Sequence, residues 1–321
     1  MRYPTLFLMF FVACFVCLPT HAQTPDSAVR YYQDGQKKMK NGNWPGAVED
    51  YTKAIEISSH FNPSKRAVRQ WNGTNPFGAL QSDGDEIRVI DPFTAYAYSN
   101  RGVAYFHLGD LDAAIADCDR ALRIKPALAP AYLSRGAARN AKGDRDGALL
   151  DYDRALAIDD HLFEAYHNRA AIRQDLGDSD GAMDDINHAI QINPKLPEAY
   201  YLRGYLLQVK KDVPGAIKDF NRALELNPVF ASAYQGRGIS RMRQGHLDLA
   251  VTDFSRALEL DRDLAFAYAN RGLAFMMLGR KSEALGDFEK FFELKPEMKT
   301  DLQHRIDLVD KLTRANGAKA H

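Results

Sequence analysis

The stretch Tyr98-Ser99-Asn100-Arg101-Gly102 decides the fold, because close variants of it return at a constant interval. The pattern of Tyr, two variable residues, Arg and then Gly or Ala occurs again at 132–136, 166–170, 200–204, 234–238 and 268–272. Each occurrence lies 34 residues after the one before it. A fixed period of this size predicts a stacked architecture, in which each unit buries its apolar face against its neighbours.

Seven copies of the unit can be placed when each is counted from three residues before its Tyr. Six copies begin at 95, 129, 163, 197, 231 and 265, and an earlier copy begins at 28 with Tyr31, Gly35 and Ala47 in the matching places. The copies therefore cover 28–61 and 95–298. Within a copy, the eighth residue is Gly or Ala and the twentieth is Ala, which predicts a close approach of two elements.

Each copy divides near its middle, where a Gly closes one helix before the next begins. Asp110, Asp144, Asp178 and Ser282 follow that point and are predicted to cap the second helix. Pro45 and Pro214 are predicted to lie in its first turn, where a missing N–H is harmless. The fifth copy has Lys211 in place of the Gly, and its turn is expected to differ.

This pattern of Tyr, Gly, Ala, aromatic residues and Pro at a 34-residue period resembles the tetratricopeptide repeat family. The resemblance covers 238 of the 321 residues. It implies an all-α fold, a right-handed α-α superhelix (solenoid) of seven helix pairs with a C-terminal capping helix. It also implies that the first helices of the pairs line a concave groove, but it is much less specific for function.

Six copies depart from the family pattern, since they have Arg where the family has Leu before the Gly. Every copy also carries an Asp early in its second helix. An Arg fork suits bidentate pairing with a carboxylate, so we expect a structural ladder of Arg–Asp pairs. The alternative is that each Asp pairs with the basic residue three places later, such as Arg120, Arg154 or Arg222. The ladder residues are Arg101, Arg135, Arg169, Arg203, Arg237 and Arg271 with Asp117, Asp151, Asp185, Asp219 and Asp253.

The family geometry implies that residues two, five, nine, twelve and thirteen of each copy face the groove. We interpret this mixed aromatic and Met-containing surface as a site for an extended peptide or an amphipathic helix. The alternative is that many of these side chains pack against neighbouring repeats. The candidate partner-binding residues are Tyr32, Tyr96, Phe106, His107, Leu133, His167, Tyr201, Tyr205, Gln208, Met242, Arg243 and Met276.

Two segments do not follow the repeat. Residues 62–94 contain several Pro and Gly and are predicted to be an insertion loop, either a flap, a second binding surface or a solvated excursion. Residues 299–321 carry Leu302, Ile306, Val309 and Leu312 at helical spacing, which predicts a capping helix over the last repeat. Its end, from Asn316, is expected to fray.

The first 22 residues have the layout of a secretory signal peptide, with Arg2, an apolar run from Leu6 to Leu18 and small residues before Ala22. Removal of 1–22 would leave Cys118 as the last cysteine, so no disulfide is expected within the chain. We expect secretion into a bacterial periplasm. The alternatives are an extracellular protein or one that is membrane-anchored by an uncleaved signal.

The charges balance, with 42 basic and 42 acidic residues. A nucleic-acid partner is not expected, because such binding needs a basic footprint. The sequence contains no phosphate-binding Gly loop, metal-ligand spacing or nucleophile elbow, so we expect no cofactor, no metal and no enzyme. The favoured function is a protein-binding scaffold. The alternatives are a self-assembling structural protein, which includes a homo-oligomer, and an enzyme that uses Asp83, Asp85 or Glu86 of 62–94.

Overall fold

The structure is a computed structural model that describes residues 25–59, 80–83, 86–89 and 92–319, with side chains described for 25–59 and 93–311. The predicted signal peptide, most of 62–94 and the side chain of Leu312 lie outside the described residues. The chain divides into two compact units. The first ends at Leu176, and the second begins at Gly177. The described chain is built from helix pairs, and the all-α solenoid fold expected from the repeat is confirmed.

The first unit contains seven of the described helices and one β-hairpin. Each helix packs against the next along the chain, and every second helix also packs against the one two places on. Its helices are α1 (Asp26–Lys40), α2 (Trp44–Ser59), α3 (Pro92–His107), α4 (Leu111–Ile124), α5 (Ala129–Ala141), α6 (Arg145–Ile158) and α7 (Phe163–Asp175).

The second unit continues the same sequential packing and ends in an additional helix. A 3₁₀ turn at Pro296–Met298 precedes that last helix. The helices are α8 (Ser179–Ile192), α9 (Pro197–Val209), α10 (Val213–Leu226), α11 (Ala231–Arg243), α12 (Leu247–Leu260), α13 (Ala265–Met277), α14 (Lys281–Leu294) and α15 (Lys299–Lys319). Among the described residues, no helix is both long enough and apolar enough to cross a membrane.

Several second helices of the pairs begin at capping side chains, whereas α12 and α14 begin without one. Asp110, Asp144 and Asp178 accept hydrogen bonds from backbone N–H groups three residues later, at 2.9 to 3.0 Å. Asp212 does the same for Gly215 at 3.0 Å, a cap that was not predicted from the sequence. The prediction for Ser282 is wrong, because α14 begins at Lys281 and Ser282 lies inside its first turn.

The turn at Lys211 does not differ from the others, contrary to expectation. Lys211 adopts a φ of 63°, in the same left-handed region as Gly143 at 88° and Gly177 at 87°. The amide of Lys211 donates to the carbonyl of Gln208, as the amide of Gly143 donates to that of Asn140. The hydrogen bonds of the turn therefore override the backbone preference of a residue with a Cβ atom.

The paired helices approach so closely that the small eighth residue is required. A Cβ atom built on Gly136 would lie 2.8 Å from Cε1 of Tyr152, and one on Gly272 would lie 2.5 Å from Cε1 of Phe288. The ring on the second helix thus lies directly against the backbone of the first. The invariant Ala at the twentieth place is fully buried in the same layer, as Ala148 shows.

The non-repeating parts have defined structure where they are described. Strands β1 (Leu80–Asp83) and β2 (Glu86–Val89) form an antiparallel hairpin, with Leu80 opposite Val89. Helix α3 begins at Pro92, so the insertion ends before the predicted residue 94. Helix α15 packs against α13, with Leu302 buried in their shared core. It continues to Lys319, past the point where fraying was expected.

Candidate partner-binding site

In five repeats, the Arg binds the Asp sixteen residues later, on the second helix of the same pair. The guanidinium of Arg135 lies 2.6 Å from Oδ1 of Asp151, whose side chain is only 3% exposed. Two nitrogen atoms of each Arg contact the two carboxylate oxygens, which is the bidentate geometry that stabilises such pairs. The pairs are Arg101–Asp117, Arg135–Asp151, Arg203–Asp219, Arg237–Asp253 and Arg271–Asp287.

The third nitrogen of each Arg reaches back to the second helix of the preceding pair. Nη1 of Arg135 donates to Asp119 at 2.6 Å, and Nη1 of Arg237 donates to Asn221 at 2.7 Å. The acceptor is always the twenty-fifth residue of a copy: Thr52, Asp119, Asp153, Asn187, Asn221 or Ser255. This contact between repeats was not predicted from the sequence, although a short polar residue stands at that place in each of these copies.

Other charged residues of the helix pairs have different partners. In the first copy, the ladder place holds Asp34, and Asp50 instead lies 2.8 Å from Lys38, at the repeat place from which Arg139 binds Asp151. Arg169 and Asp185 belong to different units, and their pairing stays a prediction. The alternative pairing with the base three residues later occurs at Arg120, 2.7 Å from Asp117. Arg222 does not follow this alternative, because it pairs with Glu225.

Six of the predicted groove residues are buried and belong to the packing between helices. Tyr32 is 1% exposed, because its ring lies 5.1 Å from that of Phe93 and its hydroxyl accepts a hydrogen bond from Asn100. Leu133 packs into a cluster with Tyr152. The expectation that these side chains contact a partner is corrected for Tyr32, Tyr96, Leu133, His167, Gln208 and Met276.

The reasons for this burial differ along the chain. Met276 shares a core with Leu302 of α15. Gln208 donates to the carbonyl of Gly236 at 2.8 Å and to the hydroxyl of Ser240 at 2.7 Å, which fixes α9 against α11. Burial lowers the pKa of His167 to about 4, so its imidazole is neutral at pH 7.

The other predicted groove residues are accessible. Phe106, His107, Tyr201, Tyr205 and Met242 are partly exposed, and Arg243 is exposed. His107 stacks on Trp44 with ring centroids 3.9 Å apart, and Tyr201 lies 5.1 Å from Phe230. These two side chains are therefore held by packing.

The second unit carries partly exposed apolar side chains on two of its first helices. Tyr205 on α9 and Met242 on α11 are partly exposed, and so is Ile239, one turn before Met242. Helices α9 and α11 are in contact, so these three side chains belong to one surface, here called the α9–α11 surface. Its composition suits an apolar partner segment.

Residues that could take part in catalysis lie at three places in the chain. The side chains of Asp83, Asp85 and Glu86 lie outside the described residues. Cys118 is fully buried, and this burial raises the pKa of its thiol well above the ordinary range, which makes it a poor nucleophile. Asp159, Asp160 and His161 lie together in the exposed loop between α6 and α7, as acidic loop residues commonly do.

Comparison with known proteins agrees with this architecture. Models of the tetratricopeptide repeat match residues 95–128, 163–196 and 197–230, and a further TPR repeat model matches 240–279. The heat shock protein STI1 of Saccharomyces cerevisiae is 31% identical over 99 residues, which are 30% of this chain and 17% of STI1. The chain thus spans less than one fifth of the length of that relative.

Two solved structures show the same fold. A tetratricopeptide repeat protein from Parabacteroides merdae superposes with a TM-score of 0.56 at 19% identity, covering 90% of this chain and 99% of its own. PilF from Pseudomonas aeruginosa has a TM-score of 0.60 at 17% identity, covering 66% of this chain and 97% of its own. The 34-residue period, the paired helices and the family-model matches show that 95–128, 163–230 and 240–279 are tetratricopeptide repeats.

Proposed function

We propose that this protein is an interaction scaffold that binds a peptide or a helix of a partner protein through the first helices of its repeats. The observation that carries the proposal is the α9–α11 surface, where Tyr205, Ile239 and Met242 remain partly exposed. Apolar side chains of this kind are normally buried, and their exposure on one surface favours a binding site. Tetratricopeptide repeat proteins commonly act as adaptors, which supports a role without catalysis.

The proposed location is the bacterial periplasm, supported by the three-part layout of residues 1–22. Expression of the full chain in a bacterium, followed by N-terminal sequencing of the protein from the periplasmic fraction, tests this. A product that begins at Gln23 supports the proposal. A product that keeps residues 1–22 and sediments with membranes instead supports an uncleaved anchor, and one found in the medium supports an extracellular protein.

A second candidate function is self-assembly, favoured by two apolar side chains at the end of the array. Leu285 on α14 is 62% exposed, and Leu308 on α15 is 53% exposed. Contacts between copies of the chain would cover such residues. Light scattering at increasing protein concentration tests this, and a constant monomer mass would remove it.

The test of the scaffold proposal is an affinity capture that compares two double variants with the unchanged chain. In Tyr205→Ser with Met242→Ser, the α9–α11 surface loses two apolar side chains. Val229→Ser with Leu249→Ser is the matched control, since these exposed side chains also lie in the second unit but not on its first helices. All three baits are first checked for equal helix content by circular dichroism.

A protein retained by the unchanged chain and the control, and lost from the α9–α11 variant, supports the proposal and identifies the partner. Loss from both variants would point to general instability of the baits, which thermal melts of the same samples resolve. Equal retention by all three baits would contradict the proposed site.

A further inference from the structure

Arg243 is an exposed cation at the end of α11 that carries no ion pair. Its Nη1 donates to the carbonyl of Gln208 at 3.1 Å, and the residue as a whole is exposed. In the part of the chain with described side chains, no carboxylate lies within salt-bridge distance of it. Exposed arginines on neighbouring second helices are paired, as Arg222 is with Glu225 at 3.0 Å and Arg256 with Glu259 at 2.7 Å.

Two exposed apolar side chains flank Arg243 at the equivalent places of the adjoining repeats. Val209 ends α9 and is 51% exposed, and Met277 ends α13 and is 43% exposed. The hydrogen bond from Arg243 to Gln208 brings its guanidinium beside Val209. Together, Val209, Arg243 and Met277 are here called the Arg243 row.

The local charges favour an anionic group at this row. Helices α11 and α13 contain no Asp or Glu, whereas they contain Arg237, Arg241, Arg243 and Arg271. Arg237 forms an ion pair with Asp253, and Arg271 forms one with Asp287. Arg241 also pairs with Asp253. Arg243 is therefore the cation of these two helices that a partner carboxylate can reach.

The spacing of the row matches an extended peptide. Adjacent packed helices are about 10 Å apart, and three residues of extended chain also span about 10 Å. We propose that the Arg243 row binds an extended peptide with one carboxylate side chain, flanked three residues away on each side by an apolar side chain. This inference rests on the proposed function and specifies the chemistry of the partner.

The first unit does not offer the same row. The equivalent places there hold Lys40, His107, Ala141 and Asp175, so they lack a pair of large apolar side chains around a free Arg. Lys40 and His107 also differ from Arg in that neither has the planar fork that binds a carboxylate in bidentate fashion. The peptide chemistry is therefore specific to the second unit.

The test uses two labelled synthetic peptides and fluorescence anisotropy with the full chain. Both have Leu residues at the flanking places in a Gly/Ser background, and the central residue is Glu in one and Lys in the other. The unchanged chain is expected to bind the Glu peptide about tenfold more tightly than the Lys peptide. Arg243→Glu is expected to reverse that preference, which a mere loss of folding cannot do.

Two further variants locate the site. Val209→Ser with Met277→Ser is expected to weaken both peptides about equally, because it removes apolar contacts without changing charge. Arg256→Glu is the matched charge control and is expected to leave the preference unchanged, since Arg256 lies on the second helix α12.

The contrary outcomes are distinct. Equal binding of the Glu and Lys peptides, or a preference that Arg243→Glu does not alter, would overturn the inference. If the capture experiment still identifies the α9–α11 surface, the scaffold function stands and only the chemistry of the Arg243 row is wrong. A dimer in sedimentation that Arg243→Glu dissociates would assign the row to a second copy of the chain and would also overturn the inference.

Discussion

Arg135 donates a 2.6 Å hydrogen bond to Asp119 of the preceding repeat while the same guanidinium binds Asp151 of its own repeat. One side chain thus connects three helices, α4, α5 and α6. The side chain of Arg135 is 16% exposed and that of Asp151 is 3% exposed, so this pair is largely removed from water. Asp151 also accepts a hydrogen bond from Arg139 at 2.8 Å, so removal of Arg135 leaves this buried carboxylate with Arg139 as its partner.

We therefore expect Arg135→Ala to lower the free energy of unfolding by about 2 kcal/mol, because the charge-assisted hydrogen bonds of Arg135 are lost while Arg139 still neutralises Asp151. Asp119→Asn should lower it by less than about 1 kcal/mol, because Asp119 is partly exposed and Asn still accepts a hydrogen bond. Urea denaturation followed by circular dichroism measures both. Arg256→Ala is the control for an exposed pair, which water and salt screen, and should leave stability nearly unchanged. Equal effects of Arg135→Ala and Arg256→Ala would contradict the structural role of the ladder.

Lys211 adopts a left-handed backbone conformation that disfavours side chains with a Cβ atom. Lys211→Gly is expected to stabilise the chain by about 1 kcal/mol, since Gly adopts this φ without strain. Thermal and urea denaturation measure the change. Lys211→Ala is the control, because it removes the charge and the aliphatic chain but keeps the Cβ atom. A gain of similar size in the Ala variant would assign the effect to the side chain rather than to the backbone.

Two glycines of the seventh repeat are expected to respond in opposite directions to the same change. Gly272→Ala places a Cβ atom 2.5 Å from Phe288 and should destabilise the chain by about 2 kcal/mol. Gly286→Ala meets no atom within 4 Å in the interior of α14 and should stabilise it by about 0.5 to 1 kcal/mol. Urea denaturation of the two variants compares them directly. A loss of stability in both would show that the close contact with Phe288 does not explain the small eighth residue.

Glu164 makes the stability of the chain depend on pH. Burial raises the pKa of Glu164 to about 7 from its ordinary value of 4.5. The folded chain therefore holds this proton more tightly than the unfolded chain, and the stability contributed by it is lost as pH rises from about 4.5 to about 7. At pH 8, Glu164→Gln should be more stable than the unchanged chain by about 2 kcal/mol. Near pH 4, the two chains should be equally stable. Urea denaturation at the two pH values measures this.

His167 acts in the opposite direction and serves as an internal control for that experiment. Burial lowers the pKa of His167 from 6.5 to about 4, so stability falls as pH decreases between these values. The Glu164→Gln variant should keep this acidic decline while losing the decline toward neutral pH. A variant whose whole pH profile moves in parallel with the unchanged chain would show that Glu164 does not titrate in this range.

The repeat, the helix pairs and most of the helix starts were predictable from sequence, because they depend on local preferences. The 34-residue period locates each pair, and Asp110 or Asp144 marks the start of a second helix through its own cap. Ser282 fails for a local reason too, since α14 begins one residue earlier. Lys211 fails for a different reason, because the turn is imposed by the helices on either side of it.

The groove was the least predictable part. The same repeat place holds buried Tyr32 and partly exposed Tyr201, and another holds buried Met276 and partly exposed Met242. Exposure at an equivalent place depends on which side chains of the neighbouring helices pack there. Examples are Phe93 against Tyr32 and Leu302 against Met276. The place of a residue within its repeat contains no information about those neighbouring side chains.

By itself, the sequence determined the family, the seven repeats and the close approach of paired helices, since these follow from residue spacing and from the size of Gly and Ala. Only the tertiary structure decided that each Arg also binds the preceding repeat, and which groove residues remain exposed. Both depend on distances between side chains from different repeats. The accessibility of Arg243 is such a result, because it requires that no carboxylate of the described neighbouring helices lies within reach.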